Sequence, residues 1–149
     1  MSIKLSTGMR NYLLSGGSFK GALDGGLIMI YSGTPPSGAD DANAGNTLLC
    51  TVSIGGAGTG INFEAAAVAG VLSKASAETW QGTNAATGTA SFFRWAESGG
   101  SPASASTTEK RIQGTIGVAG ADLNLSSVSL ASGAVQTVDF FNVTLPASA

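Results

Sequence analysis

One stretch, Gly88-Thr-Ala-Ser-Phe-Phe-Arg-Trp-Ala96, constrains the fold of this chain more than any other. Successive side chains of an extended strand point to opposite faces. As a single strand it puts Ala90, Phe92 and Arg94 on one face and Thr89, Ser91, Phe93 and Trp95 on the other. A large aromatic on each side calls for cover on each side, which puts the strand in the middle of a packed domain. Arg94 is one of only seven basic residues. Its guanidinium is suited to strand-end carbonyls, to a carboxylate such as Asp139, or to a neighbouring subunit.

The rest of the composition narrows the class. Charged residues are 11% of the 149, Gly accounts for 22, and the net charge is -2. Ordinary globular chains carry about 25% charged residues. Disordered chains combine low hydrophobicity with high net charge, so the reading here is a folded, turn-rich β domain. A surface so poor in charge suits a subunit covered by its neighbours better than a free monomer. The basic residues, at positions 4, 10, 20, 74, 94, 110 and 111, form no stripe for phosphates, which argues against direct nucleic-acid binding. No apolar run is long enough for a membrane span, and Met1 to Ser6 lack the apolar core of a secretory signal. Cys50 has no second cysteine to pair with and reads as a small buried hydrophobe.

Along the chain, residues 1–26 read as an N-terminal arm and 27–149 as the β domain. Thr7 is the expected cap of a short helix over Gly8 to Leu14, stopped by Gly16-Gly17, with a second helical turn over Ser18 to Leu23. Helices this short need docking, either on their own domain or on a neighbour. Strands are expected at Leu27–Tyr31, Thr47–Ile54, around Ile61–Phe63 and Val71–Lys74, at Glu78–Gln81, at Thr89–Ala96 and at Arg111–Val118. A shorter pair follows around Leu123 to Leu130. The last strand spans Gln136–Leu145 and is ended by Pro146; it places Val138 and Phe140 on one face and Asp139 and Phe141 on the other. The fold class expected is all-β, a single β-sandwich of jelly-roll or immunoglobulin-like topology with a short, partly helical arm.

No motif commits the chain to catalysis. There is no histidine, hence no Ser-His-Asp or Cys-His arrangement and no imidazole metal site. Gly55-Gly-Ala-Gly-Thr-Gly60 is followed by Ile61-Asn62, not the Lys-Ser/Thr of a phosphate loop, and reads as a hairpin turn. Asp40, Asp41, Asn43 and Asn46 offer part of a calcium loop without its closing glutamate and read as a solvated loop. The nine carboxylates are dispersed; a pair of them could still meet in space for acid–base work, and Asp139 and Glu64 are the ones whose replacement would test it. Trp80, Trp95, Tyr12 and Tyr31 could stack on a sugar, but the core has a prior claim on them. The expectation is a non-enzyme with no catalytic, cofactor or metal site.

The segments Leu5-Ser-Thr-Gly-Met-Arg-Asn11, Ile30-Tyr-Ser-Gly-Thr-Pro-Pro36, Leu72-Ser-Lys74, Glu78-Thr-Trp80, Gly88-Thr-Ala-Ser-Phe-Phe-Arg94, Arg111-Ile-Gln-Gly-Thr115 and Ala121-Asp-Leu-Asn-Leu125 resemble a family of small virion structural proteins of tailed bacteriophages and prophages. The resemblance runs over nearly the whole chain and rests on turn and core positions. It implies a structural protein of the virion with no catalytic residues to carry over. Its most specific version is a capsid decoration (cement) protein bound to the major capsid protein or other virion subunits and forming homo-oligomers. The alternative is a tail, collar or fibre component that contacts host glycans. The reach would come from the arm or the Ser32–Asn46 loop, with Leu5, Met9, Arg10, Tyr12, Leu13, Pro35, Pro36 and Arg94 as candidate subunit contacts.

Overall fold

The computed structural model describes residues 3–145 and residue 147, and within them the chain is all-β. In order it forms β1 (Lys4–Leu5), α1 (Thr7–Leu14), α2 (Phe19–Leu23), β2 (Leu27–Ser32), β3 (Thr47–Ile54), β4 (Val71–Ser73), β5 (Trp80–Thr83), β6 (Gly88–Thr89), β7 (Phe92–Ala96), β8 (Arg111–Gly117), β9 (Leu123–Asn124), β10 (Ser129–Leu130), β11 (Val135–Val138) and β12 (Asn142–Thr144). One eight-stranded sheet runs β1-β8-β7-β2-β3-β5-β11, with β9 parallel to β8 and every other neighbour antiparallel. Two ribbons, β6–β10 and β4–β12, complete the strand pairing.

β7 lies mid-sheet between β2 and β8, and all five of its residues are buried. On its inner face Phe93 and Trp95 meet Phe141, each at a ring separation of 5.7 Å. Phe63 stacks on Trp95 at 4.7 Å, and Trp80 approaches Trp95 edge-on at 5.3 Å. The buried indoles keep their polar ends satisfied: Trp95 Nε1 donates to the Leu23 carbonyl at 3.0 Å and Trp80 Nε1 to Glu78 Oε2 at 2.8 Å. Ile28, Ile30, Val52, Ile112 and Val138 fill the spaces between these rings.

Two expected strands are each divided. The stretch 89–96 splits at Ala90-Ser91, with Gly88–Thr89 pairing to β10 and Phe92–Ala96 to β2 and β8. At the split, Ser91 donates its N–H to the Tyr31 carbonyl and its hydroxyl to the Gly33 carbonyl, while Ala90 N–H bonds to Val128. Each half therefore has its own partner. The stretch 136–145 likewise becomes β11 and β12. The break lies at residues 139–141, where the Phe141 carbonyl accepts from Lys74 N–H. This resets the side-chain phase: Val138, Phe141 and Val143 are buried, while Phe140, expected beside Val138, is 82% exposed. The expected stop at Pro146 lies outside the described residues.

The arm packs on its own domain. β1 pairs with β8, and Met9 and Leu23 have no exposed surface. Leu5, Tyr12 and Leu13 lie half-buried against the same core. The cap of α1 is Ser6, not Thr7. Ser6 Oγ accepts from Met9 N–H and from Arg111 N–H and donates to the Glu109 carbonyl. A hydroxyl one residue earlier thus caps the helix and fastens it to β8. At Gly8 a Cβ would stand 2.2 Å from the Thr108 carbonyl oxygen, so only glycine permits α1 to lie this close to that loop.

Candidate functional site

The functional surfaces of this chain are best seen from the outer face of the large sheet, which divides into a covered and an open half. On β8 and β7 the outward residues include Gln113, opposite Arg94, and Arg111, opposite Ala96. Two loops, 33–46 and 97–110, lie over them. Arg94 Nε donates to Gln113 Oε1 at 2.8 Å, Nη1 to the Pro102 carbonyl at 2.7 Å and Nη2 to the Gly38 carbonyl at 3.1 Å. Arg111 Nη1 donates to the Pro102 carbonyl at 3.1 Å and Nη2 to the Ser106 carbonyl at 3.3 Å. Gln113 Nε2 reaches the Pro36 carbonyl at 2.8 Å. The loops also bind one another, Asn43 N–H to Ala103 and Ser106 N–H to Asp40.

Both arginines have no exposed surface. Burial, and then the neighbouring charge of Arg111, pull the Arg94 pKa down. Backbone carbonyl dipoles, rather than a hydrogen-bonded carboxylate, solvate the two cations, and the planar fork of each side chain spreads its bonds over several acceptors. Arg111 Nε has no partner among the described residues. The chemistry of this cluster is fastening: the terminal Nη donors of both arginines are spent on the loops.

Several expected sites dissolve in this arrangement. Arg94 and Met9 are fully buried and present no surface to another subunit. Asp139 is exposed and is not among the hydrogen-bond partners of Arg94. The Ser32–Asn46 loop is not an uncommitted reach, since Arg94, Gln113 and Thr7 bind it down and Asn46 ties its two ends together. Its acidic residues diverge: Asp40 accepts from Thr7 N–H and Oγ1, while Asp41 accepts from Ser37 Oγ and Gly38 N–H. Burial would raise Asp40, but the Thr7 bonds outweigh it and hold the carboxyl below its ordinary range. No group of three metal-ligating side chains occurs among the described residues. Trp80 and Trp95 sit in the core, and Tyr31 stacks on Phe92 at 5.2 Å, so these rings form no sugar platform. Glu64 is engaged by Ser76 N–H. Cys50 is buried, and burial pushes its thiol up to about 11, far from a reactive thiolate. Gly55–Gly60 makes a tight turn closed by Ile54 N–H to the Thr59 carbonyl, with positive φ at Gly55, Gly56 and Gly58.

Of the remaining candidate contacts, Arg10 and Pro35 are exposed, and Leu5, Tyr12, Leu13 and Pro36 are half-buried. The open half of the sheet was not singled out from sequence. There β3, β5 and β11 turn Thr51, Gln81, Thr83, Val135 and Thr137 outward, without a charged residue among them, while Ser53 on the same face is covered by the turn at Gly58. Beside it, Met29, Tyr31, Asn43, Leu48 and Pro102 line a groove of about 470 Å³. Val135 in this half is 61% exposed, and further exposed apolar side chains stand elsewhere on the surface, with Phe140 82%, Val68 74% and Leu145 67% exposed. The signal for this half was present as small uncharged residues alternating with apolar ones in Thr51-Val-Ser-Ile54, but which face lacks cover is a tertiary property. No helix among the described residues is long and apolar enough to cross a membrane. Comparison with protein-family models, curated proteins and solved structures returns no match.

Proposed function

We propose that this chain is a virion structural subunit of a tailed bacteriophage, a capsid decoration protein that works by binding neighbouring capsid subunits. The observation that carries the reading is the contrast in how the surface is used. Arg94 and Arg111, the two cations on the outer face of the large sheet, are buried as loop fasteners, while the open half of the sheet is uncharged and large apolar side chains remain exposed. Exposed apolar and uncharged area of this kind is what subunit interfaces consume. The phage-like segments of the sequence support the same reading. The contact surface proposed is the open sheet half and the exposed apolar tips, in place of the arm and the Ser32–Asn46 loop. The mechanism is added interface area between capsid subunits, multiplied by the number of sites on a particle.

Copy number tests the proposal. Purified particles, measured by gel densitometry or reconstruction, are expected to carry hundreds of copies, and isolated chain is expected to bind empty heads. A copy number in the low tens that stays with isolated tails overturns it in favour of a tail component.

A further inference from the structure

We propose that β11 is a self-pairing edge: two copies of this chain join their β11 strands antiparallel about a two-fold axis at Gln136, making one continuous sheet across a dimer. The two ends of the large sheet are built differently. β1 is two residues long and carries Lys4, the length and charge that keep an edge from pairing with strangers. β11, Val135-Gln-Thr-Val138, has neither charge nor proline nor bulge, and its residues favour strands.

The register says which peptide groups are on offer. Asn84 donates its N–H to the Ala134 carbonyl at 2.8 Å, and Gln136 and Val138 stand opposite Gly82 and Trp80. Bonded positions alternate in an antiparallel ladder, so Ala134, Gln136 and Val138 face β5, and Val135 and Thr137 turn their N–H and C=O groups outward. The outward Thr137 carbonyl accepts a bond from the Gln136 side-chain Nε2 at 2.9 Å, a stand-in for the N–H of a further strand.

A two-fold axis at Gln136 sets Val135 of each copy opposite Thr137 of the other. These are the two residues with outward peptide groups, so each pair exchanges two bonds and the junction closes with four. The side chains match as well: Val135 and Thr137 lie on the same open face and both are exposed. From Ala131 to Val138 there is no charged residue, so no like charges meet. Shifting the axis to Thr137 would instead place Val135 against the second copy's Asp139. The Gln136 register also carries exposed Phe140 toward the small turn Ala131-Ser-Gly133 of the other copy. An isologous contact of this kind closes after two copies. The inference stands on the strand edge alone and does not depend on the virion reading.

The test is sedimentation equilibrium of the full chain from micromolar to millimolar concentration, with circular dichroism to check folding. The expected result is a reversible monomer–dimer equilibrium. Val135→Lys and Thr137→Glu, both at exposed positions, are each expected to weaken it by about tenfold or more, since a charged side chain on an edge strand disfavours pairing with a second strand. Mixing the two variants sets the introduced lysine of one copy opposite the introduced glutamate of the other and is expected to restore association as a heterodimer. A wild-type chain that stays monomeric at millimolar concentration overturns the proposal. So does a dimer that neither folded variant weakens, or a mixture that does not recover. Copy number on particles reports separately on the virion reading.

Discussion

On the inner side of β7, Phe93 and Trp95 meet Phe141, Phe63 and Trp80 ring against ring. On its outer side, Phe92 stacks on Tyr31 and Arg94 holds carbonyls of two loops. Five consecutive residues thus anchor two kinds of interior. The inner one is held by burial and close packing, which are non-directional and respond to volume. The outer one is held by directed bonds from a few charged donors, which respond to geometry and to the loss of a single group. A low-charge chain can cover both faces of a sheet with little apolar material by letting loop backbone serve as the second layer.

The largest effect is expected from the inner side. Phe93→Ala should cost about 3–5 kcal/mol by urea unfolding, as removal of a buried ring leaves a cavity as well as lost transfer energy. A cost below about 1 kcal/mol would mean that this face is not core in the isolated chain. Next comes Arg94→Met, which keeps bulk but takes the guanidinium from Gln113 Oε1 and the Gly38 carbonyl and leaves the Pro102 carbonyl to Arg111 alone, with an expected cost of about 2–3 kcal/mol. Its distinguishing mark is local: amide exchange in residues 34–46 and 98–108 should accelerate more than in β2. Arg94→Lys should not restore protection, because one ammonium cannot span the same acceptors. Uniform acceleration across the sheet would refute the fastening role.

The smallest effect is expected from acid. At Glu78 burial favours the neutral form, but bonds from Asn62 N–H, Asn62 Nδ2 and Trp80 Nε1 outweigh it and hold the pKa below its ordinary 4.5. A carboxyl depressed in the folded state stabilises the fold above its unfolded pKa, and that contribution is lost as pH falls through the folded value. Tm should therefore hold steady down to about pH 5 and decline below the ordinary glutamate range. Glu78→Gln should flatten part of that decline; a pH profile unchanged by the substitution would remove Glu78 from the account. Asp40 and Glu97 are depressed in the same direction, Glu97 through Lys110, and contribute to the remaining slope.

The strands at Leu27–Ser32 and Thr47–Ile54 were legible because β-branched and apolar residues dominate them between clear turn residues, and Arg111–Gly117 because polar and apolar residues alternate along it. The glycine-rich turn after Ile54 was legible for the same reason. The breaks at Ala90-Ser91 and at Asp139 to Phe141 were not, because no proline or glycine marks them; they exist where the chain changes partner strands. The role of Arg94 was half-legible. Its burial follows from its place beside Phe92 on a strand covered on both faces, but two of its acceptors are backbone carbonyls, which carry no residue-type signature. For the same reason the stretches 33–46 and 97–110 read as solvated loops and prove to be cover. The open half of the sheet emerges only once it is known which strands those loops leave bare.

The Ser6 hydroxyl has a further consequence, in the order of events during synthesis. It joins the start of α1 to Arg111 across 105 positions, and β1 finds its partner in β8 over a similar span. The segment that carries it leaves the ribosome well before that partner, yet is among the last to be seated. Until β8 has been made, an eight-residue helix has neither its strand nor its close-packed loop, and alone it is too short to persist. Completion of the fold waits on closing a very long loop, which makes it slow compared with locally paired folds. Through that interval Met9 and the other apolar residues of the arm stay available to whatever else the nascent chain meets.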